Sequence, residues 1–299
     1  MGLFSHLKRR PLTRLERFNR SMSEDGRVRF VEESPPVDAP LPEEWRALPA
    51  LSPTERVGVM ADRMDRFVGD VLPKTVDFIR RCGRDAELAV WEDGGRYLVV
   101  YTFTEPEGGT FYCCAGNPRQ PTWPAESVPK RSADSYGGMS VYDFNVHAVW
   151  DRVPPKLRSF YENVHDGFLH DTGGSLLLHE LVDVNEFRSG GFVDFDMLDN
   201  DALCDRAQGC YIFCDPSNSY LTVDVVGTCP GRADYWDSDG VFRFGIDFWE
   251  IVDGCLGGLL DLLDHPGGGG TRQPLTTSEV DTGLSLIHIS EPTRRTPIS

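Results

Sequence analysis

Two consecutive prolines, Pro154 and Pro155, fix where a helix can begin in the second half of this chain. Neither suits a helix interior, where the ring removes a donor and clashes with the preceding turn, but both suit the first position. Leu157, Phe160, Tyr161 and Val164 then recur at helical spacing, and Gly167 ends the run as a C-terminal glycine does. The stretch reads as one short amphipathic helix stopped at an Asp166-Gly167 turn.

Upstream, Ser52-Pro53-Thr54-Glu55 opens another helix, with proline early and a carboxylate in the first turn. Val59, Met60, Met64, Phe67, Val68 and Val71 supply its buried stripe, and Pro73 restarts it for Val76, Phe78 and Ile79. The period then changes. Residues 87–92, the Gly94-Gly95 turn and residues 96–104 read as a hairpin, and 110–114 as a third strand. A Pro/Ser/Gly-rich loop over 116–138 holds Trp123, and 141–149 alternates like a strand. Further strands are expected over 175–181, 209–215 and 220–226, with a bend or helical turn at 183–187 between the first two. A hairpin follows through Asp237-Ser238-Asp239-Gly240. Asp247 starts a closing helix led by Phe248 and Trp249 and running to about Leu263. The class implied is α+β.

The two ends differ in character. Residues 1–52 form a basic arm (Lys8, Arg9, Arg10, Arg14, Arg17, Arg20) followed by a proline-rich linker. Residues 266–283 read as a flexible linker. Leu284 to Arg294 resembles the translation of a sequencing-library adapter, with 295–299 as its continuation, so 284–299 is set aside from fold reasoning.

The formal net charge is −17, and it is unevenly placed. From Phe192 to Asp264 there are fifteen Asp or Glu against three Arg, a net −12. Phosphate binding needs the opposite sign, which argues against direct nucleic-acid contact here. A strong negative field instead speeds capture of a basic partner. No apolar run approaches a membrane span, and no secretory leader follows the basic start. The eight cysteines show no C-x-x-C pair or regular framework, which suits a reducing, cytoplasmic setting. Adjacent Cys113 and Cys114 in a strand would point to opposite faces.

His165-Asp166 with His170-Asp171 is dense enough in imidazole and carboxylate for a metal-assisted hydrolase. Its setting, a helix broken at Gly167 among strands, fits a turn better. His179-Glu180 lacks the second histidine of a zincin, and Asp237–Gly240 lacks the glutamate a calcium loop needs six positions on, where Ile246 stands. No Walker loop, dinucleotide fingerprint or nucleophile elbow is present. The expectation is a protein without catalytic residues, metal or cofactor.

Pro154-Pro155, Phe160-Tyr161 and Asp166-Gly167 resemble the opening-helix motif of the SUKH superfamily, and Phe248-Trp249 resembles the start of its closing helix. The resemblance covers about Trp150 to Leu263, so a SUKH-like domain is placed at 150–265. It implies a mixed sheet with flanking helices, in which Pro155, Phe160, Tyr161, Asp166, Gly167, Phe248 and Trp249 carry the family pattern. Residues 53–149 are then an elaborated first half or a separate module. Many bacterial members are immunity proteins, and the implied function is to bind a cognate protein toxin and block it. A basic nuclease toxin would suit the acidic region. The expected contacts are Asp194, Asp196, Asp199, Asp201 and Asp205, with Asp237 and Asp239. A scaffold or regulatory role outside toxin systems is the alternative that the same resemblance implies.

Overall fold

The structure, a computed structural model, describes residues 28–92, 94–104, 110–124, 145–170, 176–187, 201–215, 219–237 and 242–254. A short strand, β1 (Val28–Phe30), and a one-turn helix, α1 (Glu43–Ala47), come first. They lie in the segment expected to be arm and linker. Trp45 and Leu48 are wholly buried there, so these residues dock on the core despite the prolines around them. Helix α2 (Pro53–Val68) starts at Ser52, where Glu55 reaches back to the Ser52 backbone N–H (2.8 Å) and accepts from its hydroxyl (2.6 Å). Met60, Met64 and Val68 form its fully buried stripe, with Val59, Phe67 and Val71 partly buried beside them. Helix α3 (Pro73–Cys82) follows after a four-residue break.

Six strands form the larger sheet in chain order: β1, β2 (Gly83–Trp91), β3 (Tyr97–Thr104), β4 (Thr110–Gly116), β5 (Asp166–His170) and β6 (Leu176–Leu178). Alternation sorts its side chains. Val99, Tyr101, Phe103 and Cys113 face the main core, whereas Leu98, Val100, Tyr112 and Cys114 join Val28 and Ala89 on the other side. The adjacent cysteines therefore part as expected, both as buried thiols. Pairing of β4 with β5 (Cys113 opposite His170) carries one sheet across position 149/150.

The smaller sheet has the order β10 (Phe242–Ile246), β9 (Ala233–Asp237), β8 (Ser219–Asp224), β7 (Cys210–Cys214). Helix α4 (Pro155–Asn163) packs into the main core, and α5 (Asp201–Ala207) covers the outer face of the smaller sheet through Leu203 and Ala207. The sheets meet along β7. Phe213 O accepts from His179 N (3.0 Å), and Ile212 N donates to Asn185 O (3.0 Å). The class is α+β, with helices flanking two sheets. Every described strand pairing is antiparallel, so these are two meanders and not one mixed sheet.

Two local expectations are corrected. The alternating stretch ending at Val149 is not a strand over its described part: Val146–Arg152 is a 3-10 helix, because the Asn145 side chain accepts from His147 N (2.8 Å) and starts a tight turn. Asp166 and Gly167 do not form a free turn. They begin β5, with Gly167 at φ 79° beside a register shift in the β4–β5 pairing.

A last helix, α6, begins at residue 248. Its Asp253 caps α3 from the far end of the chain, accepting from Lys74 N (3.1 Å), Thr75 N (2.8 Å) and Thr75 Oγ1 (2.8 Å). The α3 cap position itself is Leu72, which has no side-chain acceptor to offer. Asp253→Ala would leave those N–H groups buried and unpaired. It should cost about 2 kcal/mol in a urea melt, and Asp253→Asn distinctly less, since an amide oxygen still accepts.

Candidate functional site

The residues of the family-like pattern sit in one structural joint. Pro155 is the first helical residue of α4, as its fixed φ favours. Phe160 and Tyr161 are buried in the main core, and the Tyr161 hydroxyl donates to His179 O (2.7 Å). Asp166 is a clamp. One carboxylate oxygen accepts from Leu181 N (3.1 Å) and the other from Thr122 N, which ties the 117–124 loop and the turn after β6 to the end of α4. Gly167 is required because a Cβ there would lie 2.7 Å from Glu180 N, in a left-handed backbone that other residues avoid. At the other end, Phe248 is buried edge-on to Phe213 (ring centroids 6.4 Å apart), and Trp249 N donates to Asp247 Oδ1 (2.9 Å).

His165 points the opposite way from Asp166, into the aromatic core. Its Nε2 lies 2.9 Å from the Tyr101 hydroxyl, and its ring stacks on Phe168 (centroids 5.8 Å apart). Burial, with the Arg63 charge adding to it, pulls its pKa down to about 3, so the imidazole is neutral and sealed. His170 pairs through its backbone with Cys113 in the sheet. Among the described residues, no three or more His, Cys, Asp or Glu are arranged to hold a metal ion. The geometry thus sends His165 and Asp166 to separate structural tasks.

Of the acidic residues proposed as partner contacts, two side chains are described. Asp205 is exposed on α5, and Asp237 ends β9, accepting from Ser219 Oγ and the Tyr235 hydroxyl at 3.4 Å each. Asp201 is the first residue of α5. Asp194, Asp196, Asp199 and Asp239 lie outside the described residues.

A second acidic group, missed from the sequence, lies where the two sheets meet. Glu180 precedes the 3-10 turn Leu181–Asp183, Asp183 is its last residue, and Asp215 follows β7. Their described counter-charge is Arg96, 3.2 Å from Glu180. Burial pushes Glu180 up to about 7, with Arg96 opposing and Asp166 and Asp183 reinforcing that shift. Burial likewise raises Asp215 to about 6, aided by the Asp183 charge, and raises Asp183. His179, 8 % exposed, is pulled down to about 4 by burial. Its Nε2 lies 3.7 Å from Asp215 Oδ1, and neither of those atoms nor His179 Nδ1 has a hydrogen-bond partner among the described residues. The signal available in the sequence was slight: a His-Glu pair interrupting the apolar run Leu176–Leu181.

The arrangement offers acceptors and negative charge, and no activated nucleophile. Cys210, beside the Asp224, Asp234 and Arg232 charges, has its thiol pushed up to about 12 by burial and by Asp224 and Asp234.

No family profile, no curated protein and no solved structure matches this chain. Among the described residues, no helix is long and apolar enough to cross a membrane.

Proposed function

We propose that this chain is an immunity-type protein of the cytoplasm that binds a basic protein toxin, with a nuclease the best fit, and neutralises it by occlusion. The observation that carries this reading is the concentration of acidic charge, net −12 between Phe192 and Asp264. A nuclease holds phosphate with Lys and Arg, and carboxylates placed against those groups compete with its substrate. The SUKH resemblance over Trp150 to Leu263 supports the same role. The contact surface proposed first comprises Asp194, Asp196, Asp199, Asp201 and Asp205, with Asp237 and Asp239 beside it.

Co-expression tests it. A host making the full chain together with the toxin domain encoded beside its gene should grow, whereas an unrelated acidic protein should give no rescue. Charge reversal of Asp205 and Asp237 together should slow association at low salt by about tenfold, with a much smaller effect at high salt. An active toxin that still kills in the presence of the wild-type chain would remove the reading.

A further inference from the structure

The joint between the two sheets has an unmet demand for a cation. Four carboxylates, Asp166, Glu180, Asp183 and Asp215, influence one another there, and among the described residues one guanidinium, Arg96, answers them. Asp166 is satisfied by the backbone donors it clamps. Glu180 is held by Arg96. The deficit therefore falls on Asp183, which is exposed, and on Asp215, whose side chain is 33 % exposed.

A second observation is independent of charge. His179 is more than nine-tenths buried, aims Nε2 at Asp215 Oδ1, and leaves both ring nitrogens and that oxygen without a hydrogen-bond partner among the described residues. Buried polar atoms of native proteins are nearly always paired, so such orphans mark a place where a missing group belongs. A neutral imidazole keeps one acceptor nitrogen, and a carboxylate oxygen is an acceptor only. Whichever ring nitrogen carries the proton, the other is an acceptor in need of a donor, and so is Asp215 Oδ1.

Val182, 44 % exposed, directly precedes Asp183 in the 3-10 turn. An exposed apolar side chain beside half-sheltered carboxylates matches the stem and head of a long basic residue, which buries its methylenes and presents its charge.

We infer that His179, Asp183 and Asp215, with Val182 alongside, form a receptor for an arginine side chain of a protein partner. A lone metal ion fits less well, since the described carboxylates and imidazoles do not converge in threes. A guanidinium has five N–H donors spread over a plane and can serve acceptors that do not converge. The inference rests on the proposed capture of a basic toxin, and moves its anchor from the Asp-rich segment to the joint.

The probe is a pentaarginine peptide, with pentacitrulline as its uncharged control, titrated into the full chain carrying isotope-labelled histidine. The expected result is a saturable shift of the His179 ring signal with pentaarginine and none with pentacitrulline. Affinity should fall at least fivefold in Asp183→Asn/Asp215→Asn and stay within twofold in Asp62→Asn/Asp77→Asn, at exposed carboxylates of α2 and α3 outside both proposed surfaces. Asp183→Asn alone, at an exposed side chain, should show part of the loss with the fold intact. A His179 signal that stays still at saturation, or equal weakening in both double variants, overturns the site. Toxin rescue separates the two levels. Undiminished rescue by Asp183→Asn/Asp215→Asn overturns this receptor and leaves the immunity reading standing. Failed rescue by the wild type, with His179 still responding to pentaarginine, removes the toxin and keeps the arginine site.

Discussion

Glu180→Gln should gain about 2–3 kcal/mol of stability relative to the wild type as the pH rises from about 5 to about 8. The wild-type carboxyl titrates near 7 in the folded state, raised by burial from the ordinary glutamate value of 4.5. Folding therefore takes up a proton in this range. The stabilisation that follows is complete below the unfolded pKa and is lost as pH rises through the folded one. The variant has no such group, so the difference between the two proteins isolates it. His165 and His179 act with the opposite sign. Their folded values near 3 and 4 mean that acid must force a proton onto a buried imidazole, which costs stability as pH falls below about 6.5. Both histidines remain in both proteins and cancel in the comparison. Urea melts at intervals across the range provide the measurement. A constant difference between the proteins would show that Glu180 is neither desolvated nor short of counter-charge.

Phe160→Ala should be the most damaging single change among the motif residues, at about 3–5 kcal/mol. The ring is 1 % exposed and packs edge-on against Tyr161 (centroids 5.4 Å apart) and against His165 (6.1 Å). Removing it opens a cavity walled by rings that cannot collapse without breaking the contact between His165 and the Tyr101 hydroxyl. Phe160→Leu, which keeps most of the volume, should cost roughly half as much or less. An alanine variant within about 1 kcal/mol of wild type would mean that the core around α4 is loosely packed and that the motif is not its keystone.

Sequence alone reads best where one local rule acts without competition. The helix start at Ser52-Pro53 with Glu55 in its first turn, the Met60–Met64–Val68 stripe, and the alternation that separates Cys113 from Cys114 all appear in the structure as their spacing requires. Where two rules compete, the reading fails. Residues 141–149 alternate, yet Asn145 offers its own side chain to the backbone and the described part turns. The proline-rich composition of the start hides Trp45 and Leu48, whose burial depends on helices and strands elsewhere in the chain. Helix α5 is short and charged, and becomes a helix by covering Cys210, Ile212 and Trp236 on the smaller sheet. The acidic segment was legible as a count of charges. The joint was not, since Arg96, Glu180 and Asp215 come together only through the pairing of distant strands, and local periodicity carries no record of that.

The cap that Asp253 places on α3 also sets a clock. The helix begins at residue 73, but its first N–H groups meet their acceptor only after some 178 further residues have been made. At ordinary synthesis speeds of about 5–20 residues per second, that is a wait of roughly 10–40 s on the ribosome. Through that interval the nascent first half must hold an unfinished helix, for the earlier part of the wait beside a sheet that still lacks β5 and β6. Contacts that span so much of the chain slow folding and expose strand edges while they are awaited. The last helix is thus the latch of the first, and a nascent chain paused before residue 253 is the form in which this protein is most open to chaperones and proteases.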